Sequence, residues 1–214
     1  MAAPTFVAST HADGTGTASI TINKPAVLIG DVMLARILGD TDAPTTGWTD
    51  LGFVTDGFGN AFSVQARIVD GTEGSSFNFT CATHAYEGSI SSYRGVDPKI
   101  IDVPTQFSGA TSGTSVVAPS ITTVDDNCLI VCCFQASGTA ATGYTSGPAG
   151  FSVDVATFGT KVQRVDNEVL STHGASGTAT AVLNASGGWF SATIALLPTI
   201  PFGSLQPRPV QAIL

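Results

Sequence analysis

"NCLIVCCF" (residues 127–134) sets Cys128, Cys132 and Cys133 in a run without a charged side chain. In a strand rising ~3.3 Å per residue, Cys128 and Cys132 stand about 13 Å apart along the axis. They share a face, but a disulfide needs Cα atoms within ~7 Å. A single zinc would have to hold both sulfurs at ~2.3 Å. Cys132 and Cys133 point to opposite faces. The run is apolar on both faces, as a central strand covered from two sides must be. The cysteines are therefore expected to be core, packing as small hydrophobes.

The flanking sequence repeats the theme. Short β-rich bursts alternate with clusters of Gly, Asn, Asp and Pro, and helical periodicity is nearly absent. "TASITI" (17–22) alternates, "GDVMLARIL" (30–38) is a longer apolar strand, and "DGFGN" (56–60) is a hairpin turn between two others. A second set echoes the first. "DNCLIVCCF" answers "GDVMLARI", and "PAGFSVDVATFG" (148–159) answers "TTGWTDLGFVTDG" (45–57). "KVQRVDNEVL" (161–170) answers "FSVQARIVD", "GTATAVLNA" (177–185) answers "SSFNFTCA", and "WFSATIALLP" (189–198) answers "YEGSISSYRG".

The expected fold is all-β, a jelly-roll-like β-sandwich of two antiparallel sheets over residues 1–198. An internal duplication would relate 24–95 to 118–198. Between them "VDPKIIDVPTQFSGATSGTS" (96–115) reads as a long crossover between sheets. Residues 199–214 carry Pro201, Pro207 and Pro209, which rule out helix and central strand. They form an expected C-terminal arm for binding a partner, through Pro201, Phe202, Leu205, Pro207, Arg208, Pro209, Ile213 and Leu214.

Composition narrows the function. Charged residues are 11% of the 214, against roughly 25% in an average soluble domain. With a mean hydropathy of +0.30, little repulsion keeps copies apart, which suits a chain covered by partners. Eight Lys and Arg against 16 Asp and Glu argue against nucleic acid, which needs clustered cations. No window approaches the ~18 apolar residues of a membrane helix. The N-terminus lacks the charged start and apolar stretch of a secretory signal. The chain is thus expected to stay in a cytoplasm until assembly or lysis, with its cysteines reduced and Asn78 and Asn184 unglycosylated.

Few constellations carry chemistry. Cys81 and His84 lack a second Cys/His pair for zinc. No G-x-S-x-G elbow supports a hydrolase at His84 or His173, and most of the acidic residues fall in turns, where Asp bonds its own backbone. Asp40 with Asp42, and Asp70 with Glu73, offer oxygen ligands for calcium without a complete set. Trp48 and Trp189 follow glycines at strand starts. Each is read as core or subunit packing, with sugar stacking as the alternative. The expectation is no catalytic residue, no metal and no cofactor.

Several short pieces occur in a telling order: Pro25 with Gly30–Asp31, Gly47–Trp48, Tyr93–Arg94–Gly95–Val96–Asp97, Ala118–Pro119–Ser120 and Gly187–Gly188–Trp189. In this order the chain resembles a loosely defined family of tailed-phage and prophage proteins over roughly residues 20 to 198. It departs at "PAVLIG", where Val27 or Leu28 replaces a glycine, and in the cysteines of 127–134. The resemblance implies a β-sandwich virion component without catalytic residues, made in the host cytoplasm. Its partners would be other virion proteins, of capsid or tail, and copies of itself. Capsid decoration fits the arm; a carbohydrate-binding adhesin of a tail, baseplate or fibre, taking host glycan near Trp48 or Trp189, is the alternative.

Overall fold

The computed structural model describes residues 1–14, 18–39, 45–55, 60–81, 86–137, 140–158 and 161–200. Among these the regular elements are sixteen β-strands. In chain order they are β1 (Thr5–Gly14), β2 (Ser19–Asn23), β3 (Val32–Leu38), β4 (Thr49–Thr55), β5 (Ala61–Ile68), β6 (Ser76–Thr80), β7 (Tyr86–Arg94) and β8 (Val96–Ile101). They continue with β9 (Gln106–Ala110), β10 (Ser115–Ala118), β11 (Cys128–Ala136), β12 (Tyr144–Ser146), β13 (Ser152–Phe158), β14 (Val162–Leu170), β15 (Ala179–Leu183) and β16 (Trp189–Pro198). All pairings are antiparallel.

The strands form four sheets rather than the two expected. A five-stranded sheet runs β1-β7-β3-β5-β4, and a six-stranded sheet runs β13-β14-β11-β16-β8, with β9 also on β16. These two face each other across a central core that includes Leu34, Phe62, Tyr93, Val131, Val165 and Ile194. The pair β2-β6 covers the outer face of the first through Ile20, Ile22 and Phe79, packed on Met33, Ala35 and Ile37. The trio β10-β15-β12 covers the outer face of the second, with Val116, Ala181 and Leu183 packed among Cys128, Ile130, Cys132 and Phe134.

Sequence pattern follows layer. The inner strands β3, β11 and β16 are buried at every position, because each has a sheet on both sides. Outer strands such as β2 and β6 bury alternate residues, the period-two signature of a half-covered strand.

The two halves repeat one strand order. Taking β9 as the partner of β16, the second large sheet reads β9-β16-β11-β14-β13, matching β1-β7-β3-β5-β4 position for position. The small sheets match as β2-β6 and β10-β15. Each echo in the sequence thus falls on an equivalent strand. β1 touches β13 and β4 touches β9, two contacts that the matching of strand orders exchanges. The shared strand order includes β1 and β9, which lie outside residues 24–95 and 118–198. The stretch 96–115 is likewise not a bare crossover: β8 and β9 both pair with β16.

Candidate functional site

The register gives a residue-level equivalence between the halves. Val32 lies between Tyr93 and Ile68, and Leu129 between Leu196 and Val169. Each edge hairpin carries a β-bulge at the same place, between Asp50 and Gly52 and between Val153 and Val155. Leu51 therefore corresponds to Asp154, and Arg36 to Cys133.

Across the central core this correspondence breaks in chemistry. On one side Arg36, fully buried, donates through Nε and Nη2 to Ser89 Oγ (3.0 and 2.8 Å) and through Nη2 to Ser91 Oγ (2.8 Å). Ser89 donates to Gln163 Oε1, and Gln163 donates to Gln135 Oε1 at 2.9 Å. Tyr93 donates to Asp154 Oδ2 at 3.0 Å, and Asn167 to Asp154 Oδ1. The equivalents of Ser89, Ser91, Tyr93, Gln163 and Asp154 are Ala192, Ile194, Leu196, Phe62 and Leu51, all apolar. One flank of the seam is a hydrogen-bonded network; the other is hydrocarbon, with Phe62 stacked on Phe190 at 6.3 Å. Burial pushes the Asp154 carboxyl up to about 6, against the opposing pull of Tyr93, Arg36 and Asn167. Arg36, Ser89, Ser91, Tyr93, Gln135 and Gln163 of this network are buried between the sheets, and Asp154 and Asn167 close it at a half-buried edge.

Two residues of the ordered pattern, Asp31 and Arg94, meet in space. Arg94 grips Asp31 with two contacts of 2.9 Å, Nε on Oδ1 and Nη2 on Oδ2. Asp31 Oδ2 also accepts from the Leu28 amide at 2.8 Å. Gly30 (φ 90°) and Gly95 (φ 78°) supply the left-handed turns on either side of this latch. Gly47 (φ 81°) leaves room for Arg67, whose Nη1 would lie 2.5 Å from a Cβ there.

The strand ends on this side form a pole where several chain segments converge. Ala3 and Pro4 lie beside Gly95, and the Thr199 amide donates to the Gly95 carbonyl at 2.9 Å. Next to them opens a cleft of about 420 Å³ lined by Gly47, Thr49, Arg67, Ile68, Asp70, Pro98, Lys99 and Ile100. Arg67 is set by Glu73 at 3.5 Å and by the Phe77 ring at 5.8 Å. Lys99 donates to the Asp102 carbonyl at 3.1 Å. Ile100 holds φ at 71°, a costly conformation for a β-branched residue.

The residues singled out from sequence are placed as follows. Trp48 and Trp189 are each 7% exposed. Trp48 packs edge-on against Phe77 and Phe79, and Trp189 joins the outer core of the second half. A sugar would find neither ring open. Asp70 and Glu73 are engaged by their own loop: Asp70 Oδ1 accepts from Thr72 (2.8 and 2.6 Å), and Glu73 accepts from the amides of Asp70 and Gly71. Among the described residues no group of three or more His, Cys, Asp and Glu is gathered as for a metal ion. All four cysteines are buried and outside disulfides. Cys128 and Cys132 face the outer core and Cys133 the central one. Burial raises their thiols, Cys133 to about 11 and Cys128 to about 12. His173 Nδ1 meets Asp126 Oδ1 at 2.7 Å, exposed and remote from the seam. Pro201, Phe202, Leu205, Pro207, Arg208, Pro209, Ile213 and Leu214 lie outside the described residues, as do Asp40, Asp42, Asp56 and His84.

Sequence reasoning passed over Leu28 and Ile29, adjacent aliphatic side chains that are 62% and 77% exposed. Their signal was the departure at "PAVLIG", where aliphatics stand in a turn. No protein-family profile, no curated protein and no solved structure matches the chain.

Proposed function

We propose that the chain is a structural component of a tailed-phage or prophage particle, acting through subunit contacts. Decoration and stabilisation of the capsid is the form that best fits. The observation that carries the reading is the use made of the family-like residues. Asp31, Arg94, Gly30 and Gly95 build turns and a latch at a pole that exposes the aliphatic Leu28 and Ile29, and Trp189 joins the outer core of the second half. We also read the winding of each half as jelly-roll-like: the first strand lies beside the last, and the second strand and the last-but-one form the facing sheet. The common strand order supports an internal duplication as the origin of the halves. The arm, residues 199–214, starts from the Thr199–Gly95 bond at the same pole.

The adhesin alternative has lost its two open tryptophans and would have to use the polar rim of the cleft, Thr49, Arg67, Asp70 and Lys99. Removing residues 201–214 tests the first reading. The truncated protein should fold with an unchanged circular-dichroism spectrum and fail to join particles. Incorporation at full occupancy would refute the role of the arm. Saturable binding on a glycan array, lost in Arg67→Ala, would instead favour the adhesin.

A further inference from the structure

The two halves differ at one sheet edge. In the second half, β12 lies along the outer side of β15. Ser146 stands opposite Val182, the Asn184 amide donates to the Gly143 carbonyl at 2.9 Å, and Thr145 Oγ1 donates to the Val182 carbonyl at 3.2 Å. On its other side β15 pairs with β10, where the Leu183 amide donates to the Thr114 carbonyl at 2.8 Å.

β6 repeats this arrangement without the third strand. The Cys81 amide donates to the Ala18 carbonyl at 2.9 Å and the Lys24 amide to the Ser75 carbonyl at 2.8 Å. Phe77 and Phe79 therefore form the hydrogen-bonded pairs with β2, and the N–H and C=O groups of Ser76, Asn78 and Thr80 point away from it. Among the described residues no backbone or side chain bonds to those groups, and all three side chains are exposed. The chain that supplies β12 runs over residues 137–151, between β11 and β13; its counterpart between β3 and β4 is the shorter stretch 39–48. An unpaired edge is a template for another strand unless charge, proline or a bulge blocks it. β6 has none of the three: its sequence is SFNFT, and its register with β2 is unbroken.

The occupant has to be extended and uncharged, with apolar side chains to lie beside the partly buried Phe77. Residues 210–214, "VQAIL", meet these terms. Every position after Pro209 has a backbone N–H, and Val210, Ala212 and Leu214 fall on one face by the period of two. That face continues the apolar layer of Phe77 and Phe79. Residues 201–214 hold Arg208 and no acidic side chain, whereas all 16 Asp and Glu of the chain precede them, so an acidic neighbour does not repel the arm.

We propose that β6 is completed by strand addition from a neighbouring copy, residues 210–214 of its arm taking the place that β12 holds on β15. The proposal rests on the subunit-contact reading and names the surface on which the arm docks.

Amide hydrogen exchange of the full chain by NMR, from about 10 to about 500 µM, is the test. The amides of Ser76, Asn78 and Thr80 should slow by about tenfold or more as concentration rises. The Cys81 amide, already bonded to Ala18, should stay unchanged. Asn78→Pro removes an edge-facing N–H that β2 does not use, and Ala212→Pro breaks the donated strand without touching β6. Each should abolish the slowing at Thr80 and the association seen by sedimentation velocity; Ala212→Pro decides alone if Asn78→Pro fails to fold. Mixed one to one, the two variants should associate again, because the intact edge of one meets the intact arm of the other. Fast exchange at every concentration, slowing that does not depend on concentration, association that survives Ala212→Pro, or a mixture that stays apart would each overturn the proposal. Should the protein then still need residues 201–214 to join particles, this contact alone falls and the structural reading stands.

Discussion

Arg94 and Asp31, 63 positions apart in sequence, meet as a two-pronged pair with 2.9 Å at each prong. The carboxylate is buried while the guanidinium is half exposed, so the pair fastens the turn before β3 to the end of β7 from the solvent side. Burial pushes the Asp31 carboxyl up, but Arg94 and the Leu28 amide outweigh it and hold it below its usual value. Its contribution to stability is therefore present above the unfolded carboxylate range and lost as pH falls through the folded value. Asp31→Ala should cost about 2 kcal/mol through the lost buried acceptor, a fall in Tm of roughly 5 °C for a chain of this size. Thermal melts at neutral pH check this, and an unchanged Tm would count against the latch.

Asp154 runs the other way. Its folded carboxyl titrates at about 6, above the ~3.9 of an unfolded Asp, so the native state binds the proton more tightly. Asp154 therefore lowers stability progressively as pH rises from about 4 to about 6. Asp154→Asn keeps an acceptor for Asn167 and gives Tyr93 a donor. It should gain about 1–2 kcal/mol at pH 7.5 and nothing at pH 4. Urea midpoints of variant and wild type across that range test the sign; a parallel offset at all pH values would show that titration is not the cause.

The thiols should be silent in the native protein. With Cys133 raised to about 11 and Cys128 to about 12, and all four side chains buried, thiolate is scarce and shielded at pH 8. Alkylation followed by mass spectrometry should find no label before unfolding and four labels in guanidinium. Rapid native labelling at Cys132 or Cys133 would contradict their place in the cores.

Gly88 marks the tightest packing between β7 and the small sheet. A Cβ there would sit 2.7 Å from Ile22 Cδ1 and 2.8 Å from Ile37 Cδ1. Gly88→Ala should destabilise by about 1–3 kcal/mol through overpacking. Trimming one neighbour, Ile22→Val, should recover part of that loss in a double-mutant cycle.

Much of the fold was legible in particular residues. The charge-free run of β11 announced a strand covered on both faces, and the alternation of β2 announced one covered on a single face. The echo of "GDVMLARI" in "DNCLIVCCF" located the two central strands. What the sequence could not supply was partnership. Period two says that Ile20 and Ile22 share a face, but not that the face belongs to a separate sheet laid over Met33 and Ile37. The bond of Asp31 to Arg94 spans too many residues for a local rule. Within "VDPKIIDVPTQFSG" the prolines masked two strands, because β8 and β9 are short edge pieces on β16, where a missing amide costs little. The exposure of Leu28 and Ile29 was hidden because aliphatic residues default to the core in any reading by pattern.

The unequal flanks of the seam make the halves unlike poles of a coupling. Two first halves laid face to face would set Arg36 against Arg36. Two second halves would leave Asp154 and Gln163 without Tyr93 and Ser89. Only the unlike pairing gives Ser89, Tyr93, Gln163 and Asp154 their partners, so a chain nicked between β8 and β9 should come back together as one fragment of each kind. If two chains ever traded halves, the product would be a swapped dimer carrying two correct seams, identical in every buried contact to the parent it came from.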